Sequence, residues 1–352
     1  MPASARLVSV AAHGLAGSRT DLPSSSLSEG EWFDLVQACV AADLIGLLAA
    51  AASSGHMPVT DGQAEELSVL EAERAGLSHL VEQRAVTVGG VLAAAGIDYR
   101  IMDGPARRLA YGGAASRHFG DVQVLVAPER IESARALQGP PSSVAGRPVR
   151  RHDRVVLRSG VAGLGHEVDD ARAARADGPA AAPAEVDALQ LLGPAATLDL
   201  AGRPVSALTV DQQLVVACVE ATAHPAPALA LVRDIAEIAL CAGLDSTATR
   251  RLAETTGVSA ALAAGIALAW DRFDLADKTE LSVWALRRNG SRYGRPSSRP
   301  SMPPLARAGL AQRVLGRRQP LPAGATGAPT LSTTTSPLSG PGRSARSTRR
   351  SP

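Results

Sequence analysis

Aromatic residues are scarce in this chain: three Trp, three Tyr and three Phe among 352 residues. A core must then be built mainly from Ala, Leu and Val, and a hydrophobic content of 45% is enough for one. Cysteine is equally rare. Cys39, Cys218 and Cys241 lie far apart with no metal-ligand spacing, which argues against a zinc site or a disulfide framework and for reduced, buried thiols. Long apolar runs are lacking too. The most apolar stretch, Leu35 to Ala52, contains Gln37, Asp43 and Gly46 and is rich in alanine, so it reads as a core helix and not a membrane span. The first twenty residues hold Arg6 and a short apolar run, Leu7 to Ala12, ended by His13 and Gly14, a poor secretory signal. These absences predict a cytoplasmic protein with no membrane partner.

Acidic residues are missing from one region only. From Leu286 to Pro352 there are 13 arginines and no Asp or Glu. The other 23 of the 36 basic residues and all 34 acidic ones precede Leu286, so residues 1–285 carry a net −11. The whole-chain value of +2 therefore joins an acidic body to a basic tail.

What is present divides the chain into five parts. Residues 1–29 are rich in Ser, Gly and Pro and are expected to be loose. Residues 30–95 are helical: Trp32, Leu35, Val36, Cys39, Val40, Leu44 and Leu47 recur at helical steps after a Ser28/Glu31 capping pair. A second helix is expected over 63–95, with Leu67, Leu70, Leu77, Leu80, Val81, Val88 and Leu92 on one face and Gly96 as its stop. Residues 96–200 change period. A strand at 99–102 leads through Asp103-Gly104-Pro105 into a short helix at 107–111, then a strand at 121–126 and a helix from Pro128 to about Leu137. Strands are also expected at 154–157 and 166–169, and the Ala-rich insert 171–184 reads as a mobile loop. Residues 201–285 hold four amphipathic helices, near 209–223, 226–242, 246–256 and 259–273. From 286 onward the composition predicts disorder, apart from a short helix near 305–315. The fold class is α+β: a small mixed sheet with N-terminal helices and a C-terminal helical bundle.

Chemistry is suggested at one place. Side chains two apart on a strand share a face, so residues 121 and 123 would point the same way. Two carboxylates there could grip Mg²⁺, but Asp121 is followed at that spacing by Gln123. Asp121 has an ordinary reading as well, as the start of a strand or the cap of a turn.

Further residues extend the pattern. Gly96-Ile97, the strand to Met102, Gly104-Pro105-Ala106, Tyr111, Arg117, Phe119-Gly120-Asp121-Val122 and Leu125-Val126 resemble the uncharacterised bacterial nucleotidyltransferases of the polymerase-beta-like superfamily. Their usual form is Lys-Gly-Pro-Ala, then Arg, then Phe-Gly-Asp-hydrophobic-Asp and Leu-Val. The resemblance extends to His166-Glu-Val-Asp169, to Arg203-Pro204, to the helix beginning near Thr209, and to Arg233-Asp234-Ile-Ala-Glu237, covering roughly residues 30–285.

That resemblance implies a nucleotidyltransferase core at 96–200 in which Mg²⁺ is held by Asp121 and Asp169, with Glu167 as a further ligand on the face of Asp169. It also implies that Gly104, Pro105 and Arg107 meet the phosphates of an NTP, whose nucleoside monophosphate passes to an unknown hydroxyl acceptor. Three positions depart from the pattern. Gln123 replaces the second carboxylate, Asp103 stands where the family has Lys, and Asp170 follows Asp169 where an apolar residue is usual. The alternative these departures raise is a catalytically inactive relative acting as a nucleotide-sensing or protein-binding module. For the other residues, the plainer readings are a solvated charge for one of Arg107 and Arg108, a half-buried structural histidine for His118, and a structural ion pair for Arg233 and Asp234. The basic tail could attract nucleic acid, but with one Tyr and no interleaved aromatic pattern it reads as a solvated, non-specific segment.

Overall fold

A computed structural model describes residues 2–111, 117–138, 155–158, 160–162, 185–276 and 279–293. Its N-terminal third is helical: α1 (Ala3–Ala12), α2 (Glu29–Ala41), α3 (Ile45–Ser53) and the long α4 (Asp61–Ala94). Thr60 caps α4 by accepting from the Gln63 amide, and Gln63 returns the bond, so both ends of the box are satisfied. The Ser28/Glu31 box starts α2 as its sequence suggests.

Two expectations fail in this third. The segment 1–29 is not loose throughout, because α1 buries Leu7, Val10, Ala11 and Ala12 against the neighbouring helices. Arg6 pairs with Glu31, and Arg233 donates to the carbonyls of Ala11 and His13 at 2.6 and 2.7 Å, which satisfies the open C-terminal end of α1. Nor is 35–52 one helix. The chain turns at Asp43, whose φ is +55°, and α2 and α3 then bury separate apolar faces.

After α4 come β1 (Tyr99–Ile101), a 3-10 turn (Gly104–Leu109), β2 (Val122–Val126), a second 3-10 turn (Pro128–Arg130) running into α5 (Ile131–Gln138), and β3 (Val155–Arg158). β4 (Gly160–Ala162) and β5 (Glu185–Asp187) form a separate antiparallel ladder before α6 (Ala188–Leu191). The hairpin β6 (Ala196–Leu200) and β7 (Arg203–Ala207) follows. Five strands make a mixed sheet in the order β3-β2-β1-β7-β6, with β1 antiparallel to β2 and parallel to β7, and β2 parallel to β3. The sheet thus crosses the expected boundary at 200, because β7 (Arg203–Ala207) is inserted between β1 and β6. Pro204 is tolerated in β7 because β1 pairs only at Ala207, leaving no neighbour on that side to need its missing N–H.

The C-terminal helices are α7 (Val210–Ala223), α8 (Leu229–Leu240), α9 (Ser246–Thr255), α10 (Ser259–Arg272) and α11 (Glu280–Tyr293). The first four match the sequence pattern. The fifth passes the expected start of the tail at 286. The expected strand at 166–169, the insert 171–184, the helix near 305–315 and the tail beyond 293 lie outside the described residues.

The sheet separates two cores. On one face Val122, Val124 and Val126 join Ile101, Ala207, Leu200 and the Val81, Ala85, Val88 and Leu92 stripe of α4. On the other, Met102 and Leu125 meet the larger core of α1–α3, α7, α8 and α10. Alternation along β2 therefore directs residue 123 toward the C-terminal bundle. Among the described residues, no helix is long and apolar enough to cross a membrane.

Candidate functional site

The candidate site lies where the Asp103 turn, the start of β2, α7 and α8 meet. Gly104 has φ +66°, and a Cβ there would stand 2.6 Å from the Asp121 carbonyl oxygen. Glycine thus permits both the left-handed turn and the close approach of the two segments. The sequence-predicted neighbours Gly104 and Asp121 are brought together. Asp121 itself precedes β2, whose first residue is Val122.

The phosphate-binding geometry expected of this turn is used internally. The Gly104 amide donates to Asp103 Oδ1 at 2.6 Å, and Pro105 has no N–H to offer. The element that follows is a six-residue 3-10 turn, not the expected helix at 107–111. Arg107, expected at the phosphates, is engaged within the protein. Its side chain is only 3% exposed, and its guanidinium reaches three carboxylates: Asp103 at 2.5 Å, Glu220 of α7 at 3.0 Å and Asp234 of α8 at 3.3 Å. Arg108 is the exposed one of the pair and bonds to Glu82.

Asp234 is a second hub. Arg117 holds it through two bonds, Nε to Oδ1 and Nη2 to Oδ2, both 3.0 Å, and the Tyr111 hydroxyl donates to Oδ1 at 2.5 Å. The expected Arg233–Asp234 pair is not formed. Adjacent helical residues point to different sides, so Arg233 turns to Glu237 and to the end of α1 while Asp234 enters the hub.

The hub joins Arg107 and Arg117 to three carboxylates in a buried place, and Arg158 also acts on Glu220. Burial pushes the Glu220 carboxyl up to about 7, against the pull of Arg107 and with help from Asp103. Burial also acts to raise Asp103, but Arg107 beside it, its hydrogen bond and Arg117 override this and lower its pKa. Burial would depress Arg107, yet Asp103, Asp234 and Glu220 hold its proton firmly. Tyr111 is raised well above its ordinary value by burial and then by Asp234. The arrangement docks the sheet on the helical bundle and leaves Arg107 little freedom to meet a ligand.

Gln123 projects to the same side of the sheet as Leu125. Its Oε1 is enclosed and has no hydrogen-bond partner among the described residues. Glu167 and Asp169, the other expected metal ligands, lie outside the described residues. Among those described, no group of three or more His, Cys, Asp and Glu side chains could hold a metal ion. His118 is buried, near Ser78 at 3.5 Å and Glu71 at 3.6 Å, with its pKa lowered by burial. Its structural reading stands.

Sequence reasoning missed Glu220 and did not give Arg117, Tyr111 and Asp234 their shared role. The available signal was polarity out of place. Glu220 follows the apolar run Leu214 to Val219, and Arg233-Asp234 follows the apolar start of α8, Leu229 to Val232. Charged residues inside such runs need buried partners. Compared with family models, curated proteins and solved structures, the chain matches none.

Proposed function

We propose that this chain is a nucleotidyltransferase-like frame without nucleotidyl transfer, serving as a nucleotide-sensing or protein-binding module. The observation that carries the reading is the 2.5 Å pair of Asp103 with buried Arg107. At the position where the resembled family has a phosphate-facing Lys, this chain has a carboxylate that consumes the nearest arginine. Gln123 adds to the same reading, since a neutral amide oxygen is a weaker Mg²⁺ ligand than a carboxylate.

The competing reading is Mg²⁺-dependent transfer of a nucleoside monophosphate from an NTP to a hydroxyl acceptor. It requires Asp121, Glu167 and Asp169 to share one metal site. Calorimetric titration of the full chain with ATP, CTP, GTP and UTP, with and without Mg²⁺, separates the readings. A sensor binds at least one nucleotide in a manner that survives Asp121→Asn, and a protein-binding module binds none. Binding that requires Mg²⁺ and disappears in Asp121→Asn would contradict the proposal.

A further inference from the structure

We propose that the groove between α9 and α11 binds single-stranded nucleic acid. Arg287 and Arg288 hold phosphates, and Trp284 offers a stacking face to a base. The groove is lined by Arg250, Glu280, Val283, Trp284, Arg287 and Arg288. Arg287 and Arg288 are exposed on the second half of α11, while Val283 and Trp284 are half-buried at its floor. The Arg288 guanidinium lies 5.9 Å from the Trp284 ring centroid, so a cation and an aromatic face are presented together. Arg250 is paired with Glu280 at 2.8 Å, and the net positive charge of the groove rests on Arg287 and Arg288.

Two further arguments select the partner. Residues 1–285 carry a net −11 and would repel a polyanion as a whole, whereas the acid-free, arginine-rich sequence begins at Leu286, within the helix that lines this groove. Of that acid-free sequence, Arg287 and Arg288 line the groove beside Trp284. An aromatic face beside phosphate-binding cations favours unpaired bases over a duplex, whose bases are already stacked, and over a lipid surface, which has no base to stack.

The test is fluorescence anisotropy of labelled oligo(dT) and oligo(U) with the full chain over a range of salt, alongside a duplex of equal length and phosphatidylserine vesicles. Single strands are expected to bind most tightly. Replacing Arg287 and Arg288 together by Gln should weaken binding and reduce the logarithmic salt slope by roughly 1.4, two phosphate contacts at about 0.7 each. Trp284→Ala should weaken single-strand binding roughly ten-fold with the slope unchanged, and Trp284→Phe should recover most of it. No binding at low salt, tighter binding of duplex or vesicles, or affinity and slope unchanged in the exposed Arg287/Arg288 variant would overturn the proposal.

Discussion

Glutamine at position 220 keeps the shape of the side chain and an oxygen for Arg107 while removing the charge that burial opposes. In the folded protein the Glu220 carboxyl is raised to about 7 from 4.5. The folded state then binds the proton more tightly than the unfolded chain, so the stability linked to this group is greatest below about 4.5 and declines as pH rises toward 7. The full decline corresponds to roughly 3 kcal/mol at about 1.4 kcal/mol per pH unit, an upper figure because Glu220 and Asp103 titrate as a pair beside a permanently charged Arg107. Asp103, with a lowered pKa, acts in the other direction: its contribution is present above 3.8 and is lost at more acid pH. His13 and His118, lowered by burial, also titrate in both proteins, so the difference between variant and parent isolates Glu220. Urea unfolding followed by tryptophan fluorescence at pH 5 and pH 8 reads that difference. Glu220→Gln should be close to the parent at pH 5 and more stable by up to about 3 kcal/mol at pH 8. A difference independent of pH, or a variant less stable at pH 8, would show that Glu220 is an ordinary charged partner of Arg107 whose burial does not oppose its charge.

Other perturbations probe the same frame. Asp234→Ala leaves Arg107 and Arg117 short of a shared carboxylate and Tyr111 without its acceptor, and should cost about 3–5 kcal/mol in urea unfolding; a loss below 1 kcal/mol would show that the hub does not dock the sheet. Gly104→Ala combines a left-handed backbone with a Cβ 2.6 Å from the Asp121 carbonyl, and a loss of at least about 1 kcal/mol is expected, with an unchanged unfolding midpoint as the contrary result. Cys39 and Cys218 are buried, with burial pushing the Cys39 thiol up to about 12, whereas Cys241 is partly exposed. A thiol reagent at neutral pH should therefore label Cys241 first and the other two only on unfolding, as peptide mass analysis would record.

Much of the fold was legible because apolar period and caps act locally. The Leu67, Val81, Val88 and Leu92 positions of the α4 stripe, the Thr209 start of the bundle and the change of period after Gly96 all have strong local signatures, whereas Leu80, expected on the same face, is exposed. The β6–β7 hairpin was not read, since its short strands are half exposed and the place of β7 beside β1 is a long-range choice. α1 was also missed, because its stability comes from packing and from Arg233, more than two hundred residues away, and not from its own capping. At the candidate site, the sequence pattern sets the Gly104 turn beside the Asp121 strand, and the Gly104 backbone does meet the Asp121 carbonyl. The fate of Arg107 was not legible. Its partners Glu220 and Asp234 come from two helices distant in sequence, and only their contact with the turn turns a phosphate-binding candidate into the centre of a salt-bridge hub.

The central claim is that this frame does not transfer nucleotides. The measurement that tests it most directly is pyrophosphate release from Mg²⁺-bound ATP, CTP, GTP and UTP by the full chain, with Asp121→Asn measured in parallel. The account predicts release no faster than in buffer for both proteins. Release by the parent that Asp121→Asn abolishes would contradict it.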